Sequence, residues 1–138
     1  MKLSKIKRNT NAAENGAWVI GAIGNIDLLI AATGNEKYTE LMRKLMKPYQ
    51  RNYKTMADSV FINMQNECLS KTILLGWRNM EAEDSTDENP KFIEYSQKTA
   101  YELLKDPENH VFRETVIALA DEEEVFKKEL VEDTTFQA

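Results

Sequence analysis

Residues 17–32 are apolar except for Gly21, Gly24, Asn25 and Asp27. A run this apolar must be buried, yet it falls short of the roughly 20 residues that span a bilayer as a helix. Trp18, Val19, Ile20 and Ile23 make one β-rich segment, and Ile26, Leu28, Leu29 and Ile30 make another. Both are nearly continuously apolar, so periodicity alone does not separate buried strand from buried helix. The glycines at 16, 21 and 24 favour strands and a turn. Gly24-Asn25 suits a two-residue type II′ turn, whose first position needs a positive φ. A β-hairpin is therefore expected here. An isolated hairpin is marginal in water, so helices or another chain must cover it, and a free edge could pair with a further strand.

The rest of the chain reads as helix. Thr33 and Glu36 have capping-box spacing, and Asn35 is an alternative cap. Tyr38, Leu41, Met42, Leu45, Met46 and Tyr49 then form one apolar helical face, which Pro48 should end or kink. A second helix is expected from about Lys54 to Leu75, with Met56, Val60, Met64, Cys68, Thr72 and Leu75 on its stripe. Gly76 would be its C-cap, and Trp77 would pack back as it ends. Ser96 should cap a helix to Lys105 that turns Ala100, Leu103 and Leu104 inward. Asp106-Pro107 should start the next, with Val111, Phe112, Thr115, Val116, Leu119 and Ala120 on one face. Val125 and Phe126 fall where a last short helix could begin. The expected fold class is α+β, mostly α: an N-terminal β-hairpin followed by about five helices. The expected organisation is a flexible arm over 1–15, one domain over 16–130 with an acidic loop at 78–92, and a frayed tail over 131–138.

Charge divides the chain. Residues 1–80 carry 12 Lys and Arg against 6 Asp and Glu, and residues 81–138 carry 6 against 17, for a net charge of −5. Such a dipolar chain can dock head to tail or offer one half to a charged partner, although solvated uneven charge is the commoner case. The basic start, Lys5-Ile6-Lys7-Arg8, could touch phosphate, but no nucleic-acid motif accompanies it and no nucleic acid is expected as a partner. It also lacks the apolar region of a signal peptide. A cytoplasmic protein with no membrane partner is expected.

No catalytic, cofactor or metal residues emerge. His110 is the one histidine and Cys68 the one cysteine, so neither a disulfide nor a cysteine-based zinc site can form within the chain. Cys68 falls on an apolar helix face, where a thiol usually packs inertly. The carboxylates at 81, 83, 84, 87 and 88 lack the regular spacing and the glycine of a calcium loop. No phosphate-binding loop, dinucleotide fingerprint or hydrolase motif is present. A non-enzymatic protein with no cofactor is expected.

One ordered set of short signals runs through residues 15–130. Trp18-Val19 precedes the strand pair, Asn35-Glu36-Lys37-Tyr38 opens a helix, and Pro48-Tyr49-Gln50-Arg51 follows it. Leu75-Gly76-Trp77, an acidic loop, Tyr95-Ser96, Leu103-Leu104, Asp106-Pro107 and Phe126 complete the order. In this the chain resembles the tail assembly chaperones of long-tailed phages, although its loop lacks the Asp-Gly turn often found after the tryptophan in them. The resemblance implies a non-enzymatic factor that binds the tape measure protein, keeps this long helical chain soluble and helps recruit tail tube protein. It implies action in the host cell cytoplasm and absence from the mature virion. In some relatives a ribosomal frameshift appends a second domain. Trp77, Met42, Met46 and Phe126 are the candidate partner contacts, because Met side chains adapt to varied apolar stripes. The competing expectation for the methionines and Trp77 is this protein's own core. A different phage-type role remains open, inhibition of a host factor by the acidic C-terminal half, as does self-association into a homo-oligomer.

Overall fold

The computed structural model describes residues 1–51 and 56–127. The expected helix start at Lys54 and the expected frayed tail lie outside the described residues. Among the described residues the fold is α+β, with a three-stranded antiparallel sheet and five α-helices. Helix α1 (Thr10–Asn15) leads into β1 (Ala17–Ile23) and β2 (Ile26–Ile30). Helices α2 (Glu36–Met46) and α3 (Asp58–Cys68) follow, then β3 (Leu74–Arg78). Helices α4 (Gln97–Lys105) and α5 (His110–Asp121) complete the domain.

The hairpin forms as its residues predict. Ile23 pairs with Ile26 across Gly24-Asn25, and Gly24 takes φ 56° while Asn25 keeps a negative φ. That sign pattern is the one a type II′ turn requires. Residues 10–15, expected within a flexible arm, are instead a capped helix. The Asn9 side chain accepts from the Ala12 amide at 3.0 Å, and Ala12 and Ala13 are buried. The Asn9 amide also donates to Phe126 O at 2.7 Å, so the start of the chain is tied to the segment after α5.

The largest departure lies at Leu69–Trp77. The expected helix to Leu75 stops at Cys68, continues as one π-turn over Leu69–Ile73, and becomes a strand at Leu74. Gly76 is therefore a strand residue rather than a C-cap. β2 lies between β1 and β3, with Leu28 opposite both Val19 and Trp77. Strand pairing wins because it gives β2 a second partner and buries Leu74 and Trp77 on the helix-covered face.

Successive strand residues face opposite sides of a sheet. The inner row Val19, Leu28 and Trp77 is buried under helices. On the outer side, Trp18, Leu29 and Gly76 form the adjacent row. A Cβ at Gly76 would lie 3.4 Å from Leu29 Cβ and 3.6 Å from the Trp18 ring. The glycine thus leaves room for Trp18 to reach across β2. The Arg78 guanidinium lies 3.9 Å from the Trp18 ring centroid, and its Nε lies 3.2 Å from Asp27. Asp27, nearly buried, also accepts from the Gly21 amide at 3.0 Å.

The inner layer is completed by Ala100 and Leu104 of α4, Val116 and Ala120 of α5, and Val125 and Phe126 beyond it. Ser96 caps α4 by accepting from the Thr99 amide at 3.0 Å. Asp106 caps a 3₁₀ turn, Pro107–Asn109, that leads into α5.

A π-turn followed by a strand leaves helical carbonyls without their usual partners. Three groups outside the turn meet them. The Ala31 amide donates to Ile73 O at 2.9 Å, Tyr95 Oη donates to Leu74 O at 2.7 Å, and Asn35 Nδ2 donates to Thr72 O at 3.0 Å. Asn35, 2% exposed, is also the cap of α2: its Oδ1 accepts from the Tyr38 amide at 2.9 Å, and its Nδ2 reaches Ala32 O at 2.8 Å. Asn35→Ala should lower unfolding free energy by about 2–4 kcal/mol, a lost cap plus an unpaired buried carbonyl. Asn35→Asp keeps the cap acceptor but points a carboxylate oxygen at two carbonyls, so it should recover little. Urea unfolding of both variants tests this, and an aspartate variant as stable as the parent would show that only the cap matters.

Candidate functional site

Helix α2 is amphipathic yet buries none of its residues. Tyr38, Leu41, Met42, Leu45 and Met46 are all half-buried, and they meet α3 and the π-turn only in part. On α3, Met64 is buried, whereas Phe61 and Ile62 are each 45% exposed. An apolar seam of leucine, methionine and aromatic side chains therefore remains reachable along the α2–α3 pair. Beside it, a groove of about 570 Å³ runs between α3 and α4, walled by Val60, Met64 and Tyr101 and edged by Lys71 and Lys98.

The candidate partner contacts separate into two kinds. Met42 and Met46 lie on the accessible α2 seam. Trp77 and Phe126 are in the core. Trp77 is 7% exposed, donates from Nε1 to Ile93 O at 2.8 Å, and meets Tyr95 edge-on at 4.9 Å between ring centroids. Phe126 is fully buried, with the Arg8 guanidinium 6.0 Å from its ring centroid. Neither ring is presented to a partner in this chain, because both side chains finish the closure of the sheet's inner face.

The α2–α3 pair is held to the body by polar ties that sequence inspection did not single out. Arg113 of α5 donates from Nε to the buried Asn66 Oδ1 at 2.8 Å and from a terminal nitrogen to Gln65 Oε1. Val111, expected on the inner face, is 71% exposed, so the buried stripe begins a turn later at Val116.

Burial perturbs three titratable groups among the described residues. The Cys68 thiol is fully buried, and burial, reinforced by Glu67, pushes it up to about 11. It is thus a neutral packing group at physiological pH rather than a nucleophile. Burial also raises Tyr38, with Cys68 and Asp121 adding to the effect, and raises Tyr95. His110 is exposed, 4.0 Å from Glu114. Among the described residues, no three His, Cys, Asp or Glu side chains converge to hold a metal, and no helix is long and apolar enough to cross a membrane.

The family model described as YdaY prophage protein matches residues 33–135, from the turn before α2 to beyond α5. The chain belongs to the YdaY prophage protein family. No curated protein and no solved structure matches it. The match makes this a phage-derived protein, and it spans the seam, the groove and β3 of this YdaY-family chain.

The raised thiol sets a pH dependence for the YdaY-family fold. Below the ordinary thiol value of 9.0, folded and unfolded chains both hold the proton, and stability is unaffected. Between 9.0 and about 11 the unfolded chain releases it first, so stability falls as pH rises. The Cys68 share of that loss should be about 2–3 kcal/mol. Cys68→Ala should flatten the decline between pH ~9 and ~10, before the tyrosines contribute. Urea titrations across this range test it, and an unchanged slope would refute the assignment.

Proposed function

We propose that this YdaY-family protein is a non-enzymatic tail assembly chaperone that binds the tape measure protein, keeps it soluble and aids tail tube assembly. On this reading it acts in the host cell cytoplasm and is left out of the mature virion. The observation that carries the proposal is the α2–α3 seam: an amphipathic helix with no buried residue, bearing half-buried Met42 and Met46, against a helix on which Phe61 and Ile62 are exposed. A long amphipathic helix without its partners exposes apolar stripes that aggregate. A methionine-bearing seam can cover such stripes with little sequence preference, because unbranched thioether side chains repack around different neighbours. Phage membership and the order of signals shared with tail assembly chaperones support the same reading.

The competing reading is inhibition of a host factor by the acidic half. It is favoured by the exposed carboxylates Glu83, Asp87 and Glu88, none of which is ion-paired among the described residues. Its binding would weaken steeply with salt, whereas binding through an apolar seam would not.

Co-expression with the long helical tape measure protein of the same phage tests the proposal. That protein should move to the soluble fraction and co-purify. Met42→Ser with Met46→Ser should keep the fold and weaken the complex about tenfold or more, corresponding to ~1.4 kcal/mol. A tape measure protein that stays insoluble, or a complex indifferent to the double variant and abolished by salt, would turn the argument toward the acidic half.

A further inference from the structure

The tip of the β1–β2 hairpin carries a cleft that the proposed function does not use. It measures about 340 Å³, is walled by Ile26, Met80, Leu103 and Phe112, and is rimmed by Glu81, Glu83 and Glu108. No lysine or arginine lines it. Glu81 accepts from Ser85 Oγ, and none of the three carboxylates is ion-paired among the described residues. An apolar cleft with a purely acidic rim selects an apolar side chain flanked by cations.

The segment before α1 has that composition. Leu3 is 68% exposed and Ile6 55% exposed. A 3₁₀ turn over Leu3–Lys5 sets these two side chains on one side, since three residues complete a turn. Lys2, Lys5 and Lys7 flank them, exposed and without an ion-pair partner among the described residues. The same chain's cleft is badly placed to receive this segment. Asn9 is fixed to Phe126, and α1 enters β1 at Ala17, paired with Ile30. The cleft sits at the other end, beside Ile23 and Ile26. Seven residues of strand separate the two ends by roughly 20 Å.

We infer that residues 2–7 of one copy of this chain dock in the acidic-rimmed apolar cleft of a second copy. Leu3 and Ile6 enter the cleft, and the three lysines face Glu81, Glu83 and Glu108. The contact is head to tail, so it propagates as an open chain of copies or closes into a ring. The inference is independent of the α2–α3 seam and holds whether or not that seam takes a tape measure helix.

Sedimentation velocity on the full chain tests it. The parent should associate with rising concentration, and less so at high salt. Lys2→Glu/Lys5→Glu/Lys7→Glu and, separately, Glu81→Lys/Glu83→Lys/Glu108→Lys should each sediment as the 15.9 kDa single chain. Mixing the two triple variants should restore association, because each then offers an arm complementary to the other's cleft. Leu3→Ser with Ile6→Ser should abolish association without changing the unfolding midpoint, as both side chains are exposed. A parent that stays a single chain at its highest soluble concentration would overturn the inference. Triple variants that associate undiminished, or a mixture that stays monomeric, would do so as well.

Discussion

Asn35 holds three parts of this fold with one side chain. Its amide group accepts from the first turn of α2 and donates both to the end of the hairpin and to the π-turn before β3. Nothing else in that position would serve as well. A serine or aspartate caps a helix but has no second donor, and an apolar residue leaves a buried carbonyl unpaired. Tyr95 repeats the logic from the other side by donating to Leu74 O. Together they make it possible for a helix to become a strand within a few residues in the protein interior. The third strand, the burial of Trp77 and the cover on both sides of β2 all follow from that conversion.

Much of this was legible in the residues, and the part that was not has a definite cause. The hairpin, the caps at Ser96 and Asp106, and the α4 and α5 elements follow from local chemistry: a glycine turn, side-chain acceptors before apolar periodicity, and a proline at a helix start; at α2 the cap is the alternative Asn35 rather than the Thr33–Glu36 box. β3 was not legible because the period of the preceding helix carries through Thr72 and Leu75. A strand partner over forty residues away in sequence leaves no trace in a local period. A denser reading of Thr72-Ile73-Leu74-Leu75-Gly76-Trp77 contains the hint. The run is apolar on every side and rich in β-formers, so no single helix face could accommodate it. The functional candidates divided along the same line. Met42 and Met46 lie on a helix whose apolar face is only partly covered, while Trp77 and Phe126 were drawn into the core by contacts that form only once the sheet exists.

The outer sheet face shows how a partly exposed aromatic residue can be satisfied without a partner. Trp18 crosses β2 into the space left by Gly76, Arg78 stacks on its ring, and Asp27 holds Arg78. Each member restrains the next, and the guanidinium caps the apolar ring with a charge that water can solvate. A surface finished in this way has little to gain from another protein. The α2–α3 seam is finished differently: Leu41, Met42, Leu45 and Met46 are half-buried, and Phe61 and Ile62 are each 45% exposed.

Charge segregation in the chain survives folding because most ion pairs are short-range. Lys71–Glu67, Lys105–Glu102 and Lys127–Glu124 lie within a single turn of their partners, so they neutralise charge locally without joining the two halves. Arg8–Glu123 is an exception, and it lies where the start of the chain meets the segment after α5. Among the described residues without an ion pair, Arg43, Lys44 and Lys47 cluster toward the end of α2, Lys2, Lys5 and Lys7 precede α1, and Glu83, Asp87 and Glu88 lie in the loop after β3. Exposed pairs contribute little stability, so the fold gains almost nothing from keeping them apart or together. Their separation matters at longer range, where like-signed regions steer an approaching partner and set its orientation before apolar surfaces touch. For the partner proposed for the α2–α3 seam, that orientation is where selectivity can arise.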